Sequence, residues 1–234
     1  MLAPDRERSA GKQGMIAETH EEQAQRARAI LRKLKRHRPD ARIELNFSTP
    51  LELLVATVLA AQCTDQRVNE VTRSLFTRYR SAQDYAQADP HTLEREIEAT
   101  GFFRQKAKAL IGIGGELGTK HGGKVPQTLE ELVALPGVGR KTANVVLGSA
   151  LGIAAGIVVD THVQRVARRT ALSAQTAPEK IEADLMELPP KRDWIAFGMH
   201  YTLHGRYLCI ARKPLCSRCP ILDLCPQFEV SNPQ

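Results

Sequence analysis

Apolar residues along this chain repeat mainly at the spacing of an α-helix. Between Glu21 and Lys35 they fall on one face, and the segment from Leu51 to Ala60 is apolar almost all round, which predicts a buried helix. Similar patterns predict further helices that begin near Asp65, Pro90, Lys106, Leu129, Arg140, Thr161, Pro178 and Arg192. No run alternates with a period of two between turn signals, so the predicted fold is all-α.

The stretch from Leu132 to Ala143 predicts a helix-hairpin-helix. Thr128 opens a capping pattern for a short first helix, and Pro136 with Gly137 ends that helix. The two glycines of the stretch, Gly137 and Gly139, are expected to allow a tight turn with positive φ angles. A second helix then starts with free backbone N–H groups and a positive dipole end, which together form an anion site.

Two interpretations of this hairpin differ in function. It is either a plain corner between two helices or a contact to a DNA phosphate. A lone Leu-Pro-Gly would favour the corner, whereas the full run Leu-Pro-Gly-Val-Gly-Arg-Lys-Thr-Ala favours DNA. The predicted DNA contacts of the hairpin are Gly137, Val138, Gly139 and Arg140.

Composition adds a weak preference for an anionic partner. The 234 residues carry a formal net charge of +7, which favours nucleic acid first and an acidic membrane second, although solubility alone also explains such a charge. No apolar run approaches the roughly 18 residues of a membrane span, and residues 1–20 carry both charge signs, unlike a secretory signal. We therefore expect a cytoplasmic protein with no membrane contact and a disordered extension over residues 1–20.

Lys141 and Asp160 are the candidate catalytic residues. Lys141 lies in the first turn of the second hairpin helix, where the helix dipole, and any desolvation, favour the neutral amine. A neutral amine can attack a sugar carbon and form a Schiff base, whereas a charged lysine would only bind phosphate, and position alone leaves both roles open. Asp160 begins a helix, where it is a good N-cap. It could also stabilise positive charge on a sugar as a base departs, and the two roles are compatible.

Four of the five cysteines are clustered near the C-terminus. Cys209, Cys216, Cys219 and Cys225 are separated by six, two and five residues. Four thiolates can bind zinc or a [4Fe–4S] cluster, and because zinc sites more often pair two Cys-x-x-Cys units, the single unit here favours iron–sulfur. The loop after the first of these cysteines carries Arg212 and Lys213, is bordered by Arg206, and is predicted to contact phosphate. The remaining cysteine, Cys63, is interpreted as a buried thiol.

Taken together and in this order, the motifs make the chain similar to the endonuclease III family of helix-hairpin-helix DNA glycosylases. The similarity runs from about Leu31 to Cys225 and includes the hairpin lysine, a Val-Asp-Thr-His segment and the cysteine tail. Shorter matching segments are Glu44 to Ser48, Ala61 to Gln62, Thr64 to Asp65 and Leu203 to Tyr207. The resemblance implies two α-helical domains with DNA in the cleft between them. These are a six-helix barrel over residues 45–153 and an iron–sulfur cluster domain over residues 21–44 and 154–234.

The resemblance also implies an activity. The family excises oxidised pyrimidines from duplex DNA and then cleaves the strand at the resulting abasic site. Lys141 would attack C1′ of the flipped nucleotide and displace the base, the imine would permit β-elimination of the 3′ phosphate, and Asp160 would activate and stabilise charge. Cys209, Cys216, Cys219 and Cys225 would bind a [4Fe–4S] cluster. The expected partner is double-stranded DNA with an oxidised pyrimidine or an abasic site, bound by a monomer.

Loop residues are expected to fill the gap that a flipped nucleotide leaves. By resemblance, Gln62 and Phe102 occupy the gap-filling positions and Arg104 lies near them. Local sequence alone would make Gln62 a polar residue at a helix end and Phe102 a core residue. Phe102 stands where an aliphatic residue is expected, Arg104 where a smaller polar one is expected, and Val133 where some relatives carry an acidic residue. These departures leave the lesion preference open.

Two other functions are consistent with parts of the pattern. A monofunctional glycosylase, such as a mismatch adenine glycosylase, would use water and would need no amine at the position of Lys141. A non-enzymatic iron–sulfur protein that binds DNA would need neither Lys141 nor Asp160. Specialisation for ultraviolet photoproducts is a weaker alternative that the sequence leaves open.

Overall fold

The structure, a computed structural model, describes residues 18–227 and residue 230, and every regular element within them is helical. The α-helices of this part are α1 (His20–His37), α2 (Pro50–Leu59), α3 (Asp65–Arg78), α4 (Ala82–Ala86), α5 (Pro90–Ile97), α6 (Phe103–Lys120), α7 (Leu129–Val133), α8 (Arg140–Leu151), α9 (Thr161–Arg169), α10 (Pro178–Met186) and α11 (Trp194–Tyr207). The all-α prediction is confirmed. Within the described ranges, no helix is both long and apolar enough to cross a membrane.

Helix α1 begins earlier than the sequence pattern predicts. The Glu22 N–H donates to the Thr19 hydroxyl at 3.3 Å, and the Thr19 N–H donates to the Glu22 carboxylate at 2.8 Å. These reciprocal bonds close a capping box and satisfy N–H groups that a helix otherwise leaves free. The predicted disordered extension over residues 1–20 is therefore wrong for its last residues, because His20 is already helical. Residues 1–17 lie outside the described part of the chain.

Side-chain caps stand at the predicted starts of five of the other helices, α2, α3, α5, α7 and α9. The hydroxyls of Thr49 and Thr64 accept from the third helical N–H of α2 and α3, and Asp89 does the same for α5. Helix α6 begins at Phe103, three residues before the predicted start. Helix α4 was not predicted, because its five residues are too few for a periodic pattern. Its capping box, formed by Ser81, is nevertheless readable in the sequence.

Buried apolar side chains form two clusters. The first cluster takes buried residues from 45 to 147, and the second joins α1 to segments between residues 157 and 221. Along the described part of the chain, α1 packs in the second cluster, residues 45–147 supply the first, and the segments after α8 pack in the second again. Seven α-helices lie between residues 50 and 151, two of them only five residues long, where the resemblance implies a six-helix barrel.

Candidate active site

The hairpin predicted between α7 and α8 is present. Only one of its two glycines has a backbone conformation that requires glycine. Gly137 has a φ of 72°, in the left-handed region that favours glycine. Gly139, by contrast, has a φ of −92°, so the predicted positive φ is wrong for this residue. A side chain at Gly139 would point into open space. Because Gly139 has no side chain, a ligand has room to approach the start of α8.

Replacing Gly137 by alanine should destabilise the protein, whereas the same change at Gly139 should not. The left-handed conformation costs a non-glycine residue about 1–2 kcal/mol. In addition, a Cβ at Gly137 would lie 3.0 Å from the Cβ of Ala109. We expect Gly137→Ala to lower the free energy of unfolding in urea by about 1–2 kcal/mol, and Gly139→Ala to change it by less than about 0.5 kcal/mol. Equal effects of the two substitutions would contradict the assignment of the turn to Gly137.

Two of the predicted hairpin contacts are engaged within the protein. The Val138 side chain is only 5% exposed and packs in the first cluster, and the Val138 N–H donates to the Leu135 carbonyl oxygen at 3.2 Å. The side chain of Val138 is therefore not available to a ligand. The Arg140 guanidinium is paired with the Glu182 carboxylate, with Nε 2.6 Å from Oε2 and Nη2 3.2 Å from Oε1.

Glu182 is a buried carboxylate that the sequence analysis did not single out. It lies on α10, and besides Arg140 it accepts a hydrogen bond from Asn144 Nδ2 at 2.8 Å. A Cβ at Gly156 would overlap the Glu182 carboxylate. Because Arg140 and Asn144 lie on α8, the first turns of this helix are tied to an element of the second cluster. The only sign of this role in the sequence is an acidic residue next to the apolar positions of α10.

A cleft opens beside the hairpin, and both candidate catalytic residues line it. Its empty volume, counted with the solvent at its mouth, is about 1170 Å³. Lys141 is the second residue of α8 and is exposed, so its amine is solvated in the DNA-free protein. Asp160 directly precedes α9. The rest of the wall includes hydroxyl side chains, among them Thr57, Ser149 and Thr202, and apolar ones such as Ile195 and Met199.

The backbone of α9 holds the Asp160 carboxylate in place. Its Oδ1 accepts hydrogen bonds from the N–H groups of His162 and Val163, both at 2.8 Å. Asp160 is thus an N-cap, and it also contributes to the cleft wall. The His162 ring is half-buried and packs against Gly205, and burial lowers its pKa.

Arg206 also lines the cleft but is engaged by carboxylates. One of its terminal nitrogens contacts Glu44, and it lies 2.6 Å from Asp65 Oδ2. Tyr207 donates a hydrogen bond to the same glutamate. In the sequence, Arg206 borders the basic loop near the cysteines. In the structure it lies on the cleft wall between two carboxylates.

The two predicted gap-filling residues are both exposed and both left-handed. Gln62 follows α2 with a φ of 53°, and Phe102 precedes α6 with a φ of 48°. Phe102 is 57% exposed, which excludes the interpretation as a core residue. A left-handed conformation costs such residues about 1–2 kcal/mol, so these loops are held by their surroundings. Arg104 is exposed, with its guanidinium carbon 5.5 Å from the centre of the Phe103 ring.

The four clustered cysteines line one small cavity of about 370 Å³ empty volume. In the described residues, no group of three His, Cys, Asp or Glu side chains is placed to hold a metal ion. Burial raises the pKa of the Cys219 thiol to about 11, and burial also raises the pKa of Cys216 and Cys225. Buried sulfurs of this kind need a positively charged partner to bind as thiolates. The donor set therefore fits an iron–sulfur cluster.

Arg169 shapes the loop that follows the first of these cysteines. Its guanidinium donates to the carbonyl oxygens of Ile210 and Ala211 at 2.8 and 2.9 Å, and it lies 3.3 Å from Cys209 Sγ. The next two residues, Arg212 and Lys213, are exposed. The loop therefore presents two cations while its backbone is held from inside.

Comparison with known proteins defines the class to which this fold and site belong. The family model described as HhH-GPD superfamily base excision DNA repair protein matches residues 55–191. The model described as the iron-sulfur binding domain of endonuclease III matches residues 209–225. The first match includes the hairpin and both candidate catalytic residues, and the second begins and ends at cysteines of the cavity. The protein is thus a base excision repair protein of the helix-hairpin-helix class.

Individual relatives narrow the assignment. The chain is 51% identical over 207 residues to endonuclease III of Synechocystis sp., covering 88% of this chain and 94% of the relative. It is 41% identical to endonuclease III of Escherichia coli strain K12, covering 86% and 94%. A trapped endonuclease III–DNA covalent intermediate, in an estranged-adenine complex, matches with a TM-score of 0.82 and 41% identity over 87% of this chain and 96% of that one. The chain belongs to the endonuclease III family.

Membership establishes the activity, the cofactor and the macromolecular partner. The protein is a base excision repair DNA glycosylase with abasic-site lyase activity, and it binds DNA. It carries a [4Fe–4S] cluster. A thermostable thymine-DNA glycosylase, 21% identical with a TM-score of 0.78, shares the fold. The predicted helix-hairpin-helix glycosylase fold is therefore confirmed.

Proposed function

We propose that this glycosylase removes oxidised pyrimidines from duplex DNA and that Lys141 and Asp160 perform the chemistry. The observation that carries the proposal is that both side chains line one cleft, each at the start of a helix. The amine is exposed and reachable by a nucleotide from the cleft mouth. The carboxylate is held by two backbone N–H groups at the start of α9.

In the proposed reaction, the neutral amine of Lys141 forms a bond to C1′ of the nucleotide. The bond from C1′ to the base breaks at the same time, and the base leaves with the electron pair and takes a proton from water. Asp160 stabilises the positive charge that develops on the sugar and accepts the proton that the amine loses. Opening of the sugar ring leaves an imine, and loss of a C2′ proton then expels the 3′ phosphate.

The proposed DNA surface surrounds the cleft mouth. The backbone N–H groups of Gly137, Gly139 and Arg140 bind a phosphate, since α8 has no side-chain cap and its N-terminus carries a positive dipole end. The Val138 N–H is already bonded to Leu135. Gln62 and Phe102 fill the gap left by the flipped nucleotide, with Arg104 beside them. Arg212 and Lys213 bind phosphate from the cysteine loop. The exposure of Gln62, Phe102, Arg104, Arg212 and Lys213 supports these roles.

We propose Cys209, Cys216, Cys219 and Cys225 as the ligands of the [4Fe–4S] cluster. The shared cavity and the family-model match over residues 209–225 support this assignment. When bound, the cluster supplies four iron–sulfur bonds that link the C-terminal segment together. Cys63 is half-buried and does not line this cavity, consistent with its interpretation as a thiol outside the cluster.

The proposed domain division follows the two apolar clusters. Residues 45–153 form the barrel domain, and residues 21–44 with 154–234 form the iron–sulfur domain. The first cluster lies within the first range and the second within the other two. The cleft takes wall residues from both domains, for example Lys141 and Asp160, so DNA bound across it contacts both. We propose that the enzyme acts as a monomer, since one chain supplies both residues.

Borohydride trapping on matched duplexes tests the substrate and the amine chemistry together. We expect covalent adducts with a thymine glycol duplex and an abasic duplex, and none with the undamaged sequence, because borohydride reduces an imine to a stable amine. An adduct on the abasic duplex alone would overturn the oxidised-pyrimidine proposal and keep the amine chemistry. Absence of adducts on both damaged duplexes would overturn the amine chemistry itself.

A further inference from the structure

Lys106 is a buried lysine without a role in the reaction proposed above. Its side chain lies in the first turns of α6, and the residue is only 5% exposed. The ammonium donates to the carbonyl oxygens of Leu59 and Thr100, both at 2.8 Å. These two acceptors are more than 40 residues apart in the chain. A buried ammonium is costly, so a lysine at this position needs both acceptors.

One carbonyl lies directly before the loop that carries Gln62, and the other lies in the loop that carries Phe102. Leu59 is the last residue of α2, and the Gln62 loop (residues 60–64) follows it. In this loop the Cys63 N–H donates to the Ala60 carbonyl at 3.1 Å, so the helical bond to Leu59 is not formed and Lys106 supplies the donor instead. Thr100 ends the short 3-10 turn of the Phe102 loop (residues 98–102). One ammonium therefore joins both loops.

We infer that Lys106 is a positioning residue that holds the Gln62 loop and the Phe102 loop at a fixed spacing, so that both tips enter the same gap in the DNA. This inference rests on the gap-filling roles proposed above. Both tips are left-handed and exposed, and neither φ angle is one that these residue types adopt readily. Extrusion of a base costs a few kcal/mol. Loops that already hold this position need not become ordered when DNA binds, so no loss of loop entropy is added to that cost.

The variant Lys106→Met removes the donor and keeps a side chain of similar length. Under single-turnover conditions, we expect base removal from a thymine glycol duplex to slow by about tenfold, because flipping is impaired. Cleavage of a preformed abasic site should change by less than about threefold, since no base has to leave the stack. The fluorescence of 2-aminopurine beside the lesion should rise less than with the natural enzyme. Lys108→Met, an exposed lysine on the same helix, is the matched control for loss of charge.

A double-mutant cycle separates positioning from general destabilisation. If Lys106 acts through the Gln62 loop, Lys106→Met should slow base removal little further in a Gln62→Ala background. Additive effects, or equal slowing on both duplexes, would overturn the inference. Normal base removal by Gln62→Ala and Phe102→Ala would overturn the gap-filling proposal instead. If Lys106→Met unfolds below the assay temperature, Lys106→Gln replaces it in the same cycle, because its amide keeps an uncharged N–H donor group.

Discussion

Replacing Lys141 by glutamine should abolish strand cleavage and borohydride trapping while DNA binding persists. The amide is not nucleophilic, so no bond to C1′ forms and no imine follows. We expect the single-turnover rate on an abasic duplex to fall by at least about 10⁴-fold, since loss of a covalent nucleophile can cost about 10⁶-fold. The affinity for the duplex should fall by less than about tenfold, because one exposed cation among many contributes a small share of phosphate binding.

Two further variants, one at Lys141 and one at Lys213, separate the loss of the nucleophile from the loss of a positive charge. Lys141→Arg keeps a cation in the first turn of α8 but has no neutral amine at working pH, so it should bind DNA normally and remain inactive. Lys213→Gln removes an exposed lysine from the cysteine loop and should keep full trapping with weaker binding at high salt. Cleavage by Lys141→Arg at a near-normal rate would show that Lys141 only binds phosphate.

Replacing Asp160 by asparagine should slow base removal by about 10²–10³-fold, as loss of one electrostatic stabiliser typically does. Asparagine caps helices as well as aspartate, so the hydrogen bonds from the N–H groups of His162 and Val163 are retained. The free energy of unfolding should therefore change by less than about 0.5 kcal/mol. Single-turnover kinetics together with urea denaturation measure the two effects on one variant.

Asp160→Ala is the control for the capping role. It removes both the charge and the cap, so it should match Asp160→Asn in rate and lower stability by about 1 kcal/mol. If Asp160→Asn loses stability and retains its rate of base removal in the folded fraction, then Asp160 is a cap alone. The pair of variants thus distinguishes the capping role of the carboxylate from its proposed catalytic role.

Local chemistry explains which parts of the fold were predictable. Thr49, Thr64 and Asp89 each cap a helix through a residue three positions ahead, a pattern that is readable in a short window. The hairpin and the cysteine spacing are equally local. The φ angle of Gly139 was predicted wrongly because glycine permits a positive φ without requiring one.

The contacts that hold the site together were not predictable in this way. Arg140 meets Glu182 across 42 positions of sequence, and Lys106 meets Leu59 across 47. Such pairings depend on how helices pack, and a charged residue in an amphipathic pattern indicates a solvated face just as well. Arg206 illustrates the difficulty: its place beside two basic loop residues in sequence concealed its carboxylate partners in space.

The cleft wall is balanced in charge, although the whole chain carries a net charge of +7. Its charged side chains are three cations and three carboxylates, namely Arg42, Lys141, Arg206, Glu44, Asp65 and Asp160. The excess positive charge of the protein therefore lies outside the cleft, where it attracts the sugar-phosphate backbone. A phosphate that moved inward would meet three carboxylates and no surplus of positive charge, whereas an uncharged nucleobase carries no net charge for those carboxylates to repel. The distribution of charge thus sorts the two halves of a nucleotide, keeping its anion at the rim and admitting its base.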